Sequence, residues 1–255
     1  MPCSGRDIST TVRAVLGLSG GPGTTLGRTH RDIHQGEERG RTMAGPTTDG
    51  RVLRGEETRR AVLRRAVAIA SVEGLDALSI GRLATDLGLS KSGVFAGFGS
   101  KEELQLATVR AARRIFADAV VAPVADALPG LARARALCEN WLAYSRARVF
   151  PGGCFFYEVT AEFDARPGAV RDALAGCARE WHGTIVEALT DARTAGALCP
   201  DTDLGDLAFA LIAVLETANS QAVLHEEDVP YERAGRLLLR LLRAEATDPA
   251  DPALA

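Results

Sequence analysis

The chain has 255 residues, 46% hydrophobic and 25% charged, with a formal charge of −3 from 30 Lys and Arg against 33 Asp and Glu. That composition suits a globular protein of one large or two smaller domains and excludes collagen-like and disulfide-stapled scaffolds. It sets up no global field that would draw the molecule to a polyanion or a membrane, so any such partner is met locally.

Residues 1–50 are rich in Gly, Thr, Arg and Ser, with Gly20-Gly21-Pro22-Gly23 in the middle and no sustained hydrophobic period. They read as a disordered extension or, because Met43 precedes the first periodic segment, as sequence upstream of the true start. From Thr58 onward good helix formers dominate and strand-like alternation is absent, so the fold is expected to be all-α. The first helix is predicted over 58–73, with Val62, Ala66, Ile69 and Ala70 on one face, an arginine-rich opposite face, and Gly74 as its left-handed stop.

Ser79 caps a second helix that ends at Gly88, and Ser90 caps a third, very short one over 91–98. Gly99 closes the third, and Ser100-Lys101-Glu102-Glu103 reads as a reciprocal capping box opening a fourth helix that runs to about residue 121. Five more helices are predicted over about 131–148, 153–165, 168–195, 203–225 and 231–244, punctuated by Pro-Gly pairs and Pro230. Residues 51–100 carry eight basic against five acidic side chains, and 101–255 carry sixteen against twenty-three. A short basic segment before a long acidic one suggests a polyanion-binding module joined to a domain with another task.

Two short helices joined by a tight Gly-containing turn and braced by longer helices make a helix-turn-helix, whose second helix enters the DNA major groove. The helix over 91–98 is too short and too Gly-rich to stand alone, and Val94 and Phe98 are expected to hold it by packing inward. The stretch SIGRLATDLGLSKSGVFAGFGSKEEL, Ser79 to Leu104, strongly resembles the DNA-binding module of TetR-family transcriptional regulators. The Leu-Gly-Leu-Ser-Lys turn, the Phe95 and Phe98 pair and the Ser-Lys-Glu-Glu-Leu start of the next helix carry the likeness.

The resemblance implies a homodimer on an inverted-repeat operator in double-stranded DNA, with a helical body that binds a small apolar or amphipathic effector. It places Ser90, Lys91, Ser92, Gly93 and Phe95 at the groove, and Lys101, Arg59 and Arg60 near phosphates. Lysine and arginine neutralise phosphates, helix N-termini donate amides to them, and Ser or Lys reaches base edges. The chain departs from the family at Ala96, Gly97 and Gly99, where Tyr, His and Lys often stand. Three phosphate donors are thereby missing, so affinity is expected to lean on Lys101, the first helix and the basic arm at Arg51 and Arg54.

The implied domains are a 51–116 head (helix-turn-helix core 79–98), a 117–245 effector-binding and dimerisation body, and a 246–255 tail. In the body, Trp141, Tyr144, Phe155, Phe156, Tyr157, Trp181 and His182 are the candidate ligand-binding residues. Three consecutive aromatics cannot share one helix face, so part of the cluster meets either a cavity or a neighbouring helix. One stripe from Val170 to Ile185 and another from Leu204 to Ala222 suit a monomer core or a four-helix dimer interface.

No metal or cofactor is expected. Glu158 and Glu162 lie one turn apart without the Glu-x-x-His pairs of helical di-metal centres, and Cys177 and His182 are badly spaced for one face. The five cysteines include no Cys-x-x-Cys pair and read as reduced thiols, a redox switch at Cys138, Cys154 or Cys177 being the minor alternative. No apolar run approaches the roughly 18 residues of a membrane span and no secretory signal opens the chain, so a cytoplasmic location and no membrane partner are expected. The reading is a ligand-released repressor without catalysis. The rival is a helical small-molecule-binding protein or enzyme using the aromatic pocket, its head vestigial.

Overall fold

The structure, a computed structural model, describes residues 47–124 and 129–254, with side chains from residue 53. The expected extension lies outside the described residues up to 46, and so does the side chain of Arg51. The described residues form nine α-helices and no strand. Helix α1 (Thr47–Glu73), α2 (Ile80–Leu87), α3 (Lys91–Phe98) and α4 (Lys101–Phe116) build an N-terminal head. Above them stand α5 (Gly130–Arg146), α6 (Phe155–Phe163), α7 (Ala169–Thr194), α8 (Leu204–His225) and α9 (Val229–Glu245).

Helix α1 begins at Thr47, eleven residues before the expected start, because no residue after Pro46 breaks the helix until Gly74 turns left-handed at φ 80°. The short head helices are cut out by their caps. The hydroxyls of Ser79, Ser90 and Ser100 accept from the amides of Arg82, Gly93 and Glu103 at 3.0–3.1 Å. The return half of the expected capping box is not made: the Ser100 amide donates to the Phe98 carbonyl, and Glu103 leans toward Arg110 at 4.0 Å. Val62, Ala66, Leu83, Val94, Phe98 and Leu104 meet in the head's core.

Helix α4 ends sooner than expected. It loosens into a π-helical turn over Ala117–Val121 and a 3-10 turn over Ala122–Val124, where Pro123 supplies no amide to continue the ladder.

The body is a bundle in which α5 packs on α7, α7 on α8, and α8 on α9, while the head meets it through α1 against α6 and α4 against α7. The stripe Leu207, Ala208, Leu211, Leu215, Ala218 and Ala222 of α8 is buried within the chain. Helix α8 is also, contrary to the sequence expectation, long and apolar enough to cross a membrane, with an 18-residue window of mean hydropathy 1.5. Its second apolar face explains this: Phe209 (72% exposed) and Leu224 (75%) point outward, joined on α9 by Val229 and Leu237.

Candidate functional site

The outer face of α3 presents Lys91, Ser92, Gly93, Phe95, Ala96 and Gly97, all exposed, while Val94 and Phe98 fix the opposite face in the core. Phe95 is 55% exposed, an apolar surface fit for a thymine methyl. Ser90 is spent on the helix start, taking the Gly93 amide at 3.1 Å and the Ser92 hydroxyl at 3.3 Å. The Lys91 side chain lies over Gly81 and makes no ion pair with any described residue.

Two residues expected at phosphates are already engaged. The Arg59 guanidinium donates to the Gly97 carbonyl and stacks over the Phe98 ring at 4.3 Å, clamping the open end of α3. Lys101 donates to the Asp76 carbonyl at 2.7 Å and lies 3.5 Å from its carboxylate. Arg60 is exposed and only loosely paired with Glu56 at 3.6 Å. Arg65 and Arg82 are held by Asp86 and Glu73.

The turn after α1 is gripped from both sides. From the head, Gln105 donates to the Leu75 carbonyl at 3.1 Å. From the body, the Glu162 carboxylate accepts the amides of Leu75 and Asp76 at 2.7 and 2.8 Å, and Arg166 pairs with Asp76 at 2.5 Å. The Arg166 hydrogen bond holds the Asp76 carboxyl below its usual range. A Cβ on Gly74 would meet a Glu162 oxygen at 2.5 Å, and one on Gly152 would lie 1.7 Å from the Ser71 carbonyl oxygen. At Gly152 the head and body backbones therefore touch where only glycine fits. A second tie joins α4 to α7, the bidentate pair Arg113–Glu180 at 2.5 and 2.6 Å, which keeps the Glu180 carboxyl low.

Beside these ties the body encloses a cavity of about 410 Å³, within the range of small-molecule sites. Trp141, Phe156, Tyr157 and Trp181 line it, together with Phe116 from α4. Phe116 is the hub of the cluster, edge-on to Trp181 at 5.2 Å, Tyr144 at 5.5 Å and Phe156 at 5.8 Å.

Three candidate ligand residues lie off the wall. Tyr144 and Phe155 are fully buried behind it as core, and His182, half-buried on α7, faces elsewhere. Among the described residues no group of His, Cys, Asp or Glu could hold a metal ion. Burial pushes the Cys138 thiol up to about 12 and the Cys154 thiol up to about 11, so neither is a reactive thiolate at neutral pH.

Sequence reasoning missed Phe116, Arg113, Glu162 and Glu216. In the sequence Glu162 stands out only for its spacing from Glu158, and no local signal announces a partner 87 residues away. Pro151-Gly152-Gly153 stood out as punctuation, but not as the point of backbone contact.

Comparison with known proteins adds two family matches. A model described as bacterial regulatory proteins of the tetR family covers residues 62–108, and one described as a tetracyclin repressor-like C-terminal domain covers 130–238. No curated protein matches the chain. A TetR transcriptional regulator from Chloroflexus aurantiacus is 26% identical with a TM-score of 0.71, over 76% of this chain and 98% of that one. A TetR-family regulator from Streptomyces coelicolor is 22% identical with a TM-score of 0.65, over 74% and 96%. A protein from Saccharomonospora viridis, solved in complex with choline, is 21% identical with a TM-score of 0.64, over 75% and 98%. These last two likenesses concern the fold alone.

Proposed function

The chain belongs to the TetR family of transcriptional regulators, and on that premise we propose that it is a homodimeric repressor released from an inverted-repeat operator by a small apolar or amphipathic molecule. It is a DNA-binding transcriptional regulator. The finer assignments are a head over residues 51–116, a ligand-binding and dimerising body over 117–245, and the cytoplasm as its place of work.

The observation that carries the reading is the two-sidedness of α6. Phe156, Tyr157, Thr160 and Ala161 face the cavity, while Glu162 of the same helix holds the backbone of the head. A molecule filling the cavity bears on one face of α6, and any shift of that helix is carried by its other face to the turn that aims α2 and α3. The pair Arg113–Glu180 lines the same cavity and bridges to α4, a parallel route. Release follows if the occupied state spaces the two recognition helices away from adjacent major grooves, about 34 Å apart. The choline bound to the Saccharomonospora protein supports a small-molecule effector for this fold.

On DNA, Lys91, Arg60 and the first amides of α3 serve the phosphates, while Ser92, Gly93 and Phe95 meet base edges. The outward apolar faces of α8 and α9, with Phe209, Leu224 and Leu237, supply the dimer contact.

The test is binding of the full chain to the DNA flanking its own gene at two salt concentrations, with Lys91→Ala alongside. Saturable, salt-sensitive binding that is weakened in the variant is expected. Absence of binding by either chain at both salts would overturn the reading and favour the helical-pocket rival.

A further inference from the structure

The charged groups around the cavity are unbalanced. Arg113 is the one basic side chain on its wall among the described residues, and Glu180 already occupies it in a bidentate pair. Two further carboxylates, Asp164 at the end of α6 and Glu216 on α8, also reach the wall. Glu216 stands at an exposed position of α8, its side chain makes no hydrogen bond or ion pair with any described residue, and partial desolvation beside the wall raises its carboxyl above the ordinary 4.5. A carboxylate that borders an aromatic wall and has no protein partner attracts a cation that enters the space beside it.

The rest of the wall is aromatic. Phe116, Trp141, Phe156 and Trp181 border the same space from four different helices, with Phe116 edge-on to Phe156 and Trp181. Ring faces attract cations and hold weakly hydrated ones best, because little water has to be stripped from them. A carboxylate set into an aromatic wall rejects an anion through charge and a strongly polar neutral molecule through lost hydration.

We infer that the cavity takes an amphipathic organic cation, an alkyl- or arylammonium whose charged head meets Glu216 and whose apolar body fills the space between Trp141, Phe156 and Trp181. The inference rests on the ligand-responsive reading above and names the chemical class of that ligand. Asp164 extends the negative potential along the wall, and the Arg113–Glu180 pair contributes no net charge.

The chain has two tryptophans, and both line the cavity, so their emission reports its occupancy directly. The experiment titrates the full chain with benzyltrimethylammonium, its uncharged isostere neopentylbenzene and the anion benzylsulfonate. The unmodified chain and Glu216→Gln are compared, with melting curves to check folding and binding to the gene-flanking DNA measured on the same preparations.

Saturable quenching by the cation is expected, about tenfold weaker in Glu216→Gln, with the uncharged isostere indifferent to the substitution. Equal or tighter binding of the neutral or anionic probe, unchanged cation affinity in the variant, or no response to any probe would overturn the inference. The three-probe comparison on the unmodified chain decides the matter even if the variant does not fold. DNA binding without cation preference would sink the ligand class alone. Cation binding without DNA binding would sink the regulator reading and leave the ligand class standing.

Discussion

Arg59 shows how a side chain of the expected type can act otherwise than by its charge. Each interior glycine of α3 costs roughly 1 kcal/mol of helix propensity relative to alanine, and this helix holds Gly93 and Gly97. Arg59 offsets part of that by bonding the Gly97 carbonyl and covering Phe98, so under the proposed function any contribution to DNA binding is expected to run through the shape of α3. Arg59→Ala is therefore expected to weaken operator binding about tenfold while leaving the slope of log affinity against log salt unchanged. Lys91→Ala should lower that slope by about one phosphate contact. Equal slope changes in the two variants would return Arg59 to the phosphates. The sequence made the arginine and the recognition helix legible, but the 38-residue separation of Arg59 and Gly97 hid which carbonyl it would find.

At the scale of elements, boundaries set by local chemistry were readable and those set by distant partners were not. Ser79, Ser90 and Ser100 mark helix starts because a hydroxyl reaches an amide three residues on, a relation written within one turn. The π turn after α4 depends on what packs against it, which periodicity does not record, and the side chains from residue 53 in the extra turns at the start of α1 are exposed and so carry no apolar period to read. The aromatic run at 155–157 divides between two environments: Phe155 in the core, Phe156 and Tyr157 on the cavity wall.

The head–body seam is the sharpest case, since Gly152 meets Ser71 across 81 residues. Gly152→Ala puts a methyl where the Ser71 carbonyl oxygen stands, and a loss of about 3 kcal/mol or more in urea unfolding is expected. A change below about 0.5 kcal/mol would mean that the seam yields and that head and body are not held there.

For the whole molecule, the apolar surface left on α8 and α9 is the part that a single chain does not explain. Phe209, Leu224 and Leu237 are large apolar side chains exposed along two packed helices, a placement that suits an isologous contact. Phe209→Asp is expected to give monomers by sedimentation at micromolar concentration, with operator affinity lost because two half-sites are no longer bound together. A variant that stays dimeric would move the interface elsewhere.

The central claim is that cavity and DNA face are coupled through α6, and such coupling is reciprocal. The measurement that tests it most directly is the affinity of the full chain for its operator with and without saturating benzyltrimethylammonium, together with the affinity for that cation with and without operator. The account predicts that each ligand weakens the other by the same factor, about tenfold or more, and that Glu162→Ala shrinks the factor toward one. Two affinities that ignore each other, with both ligands bound, would contradict it.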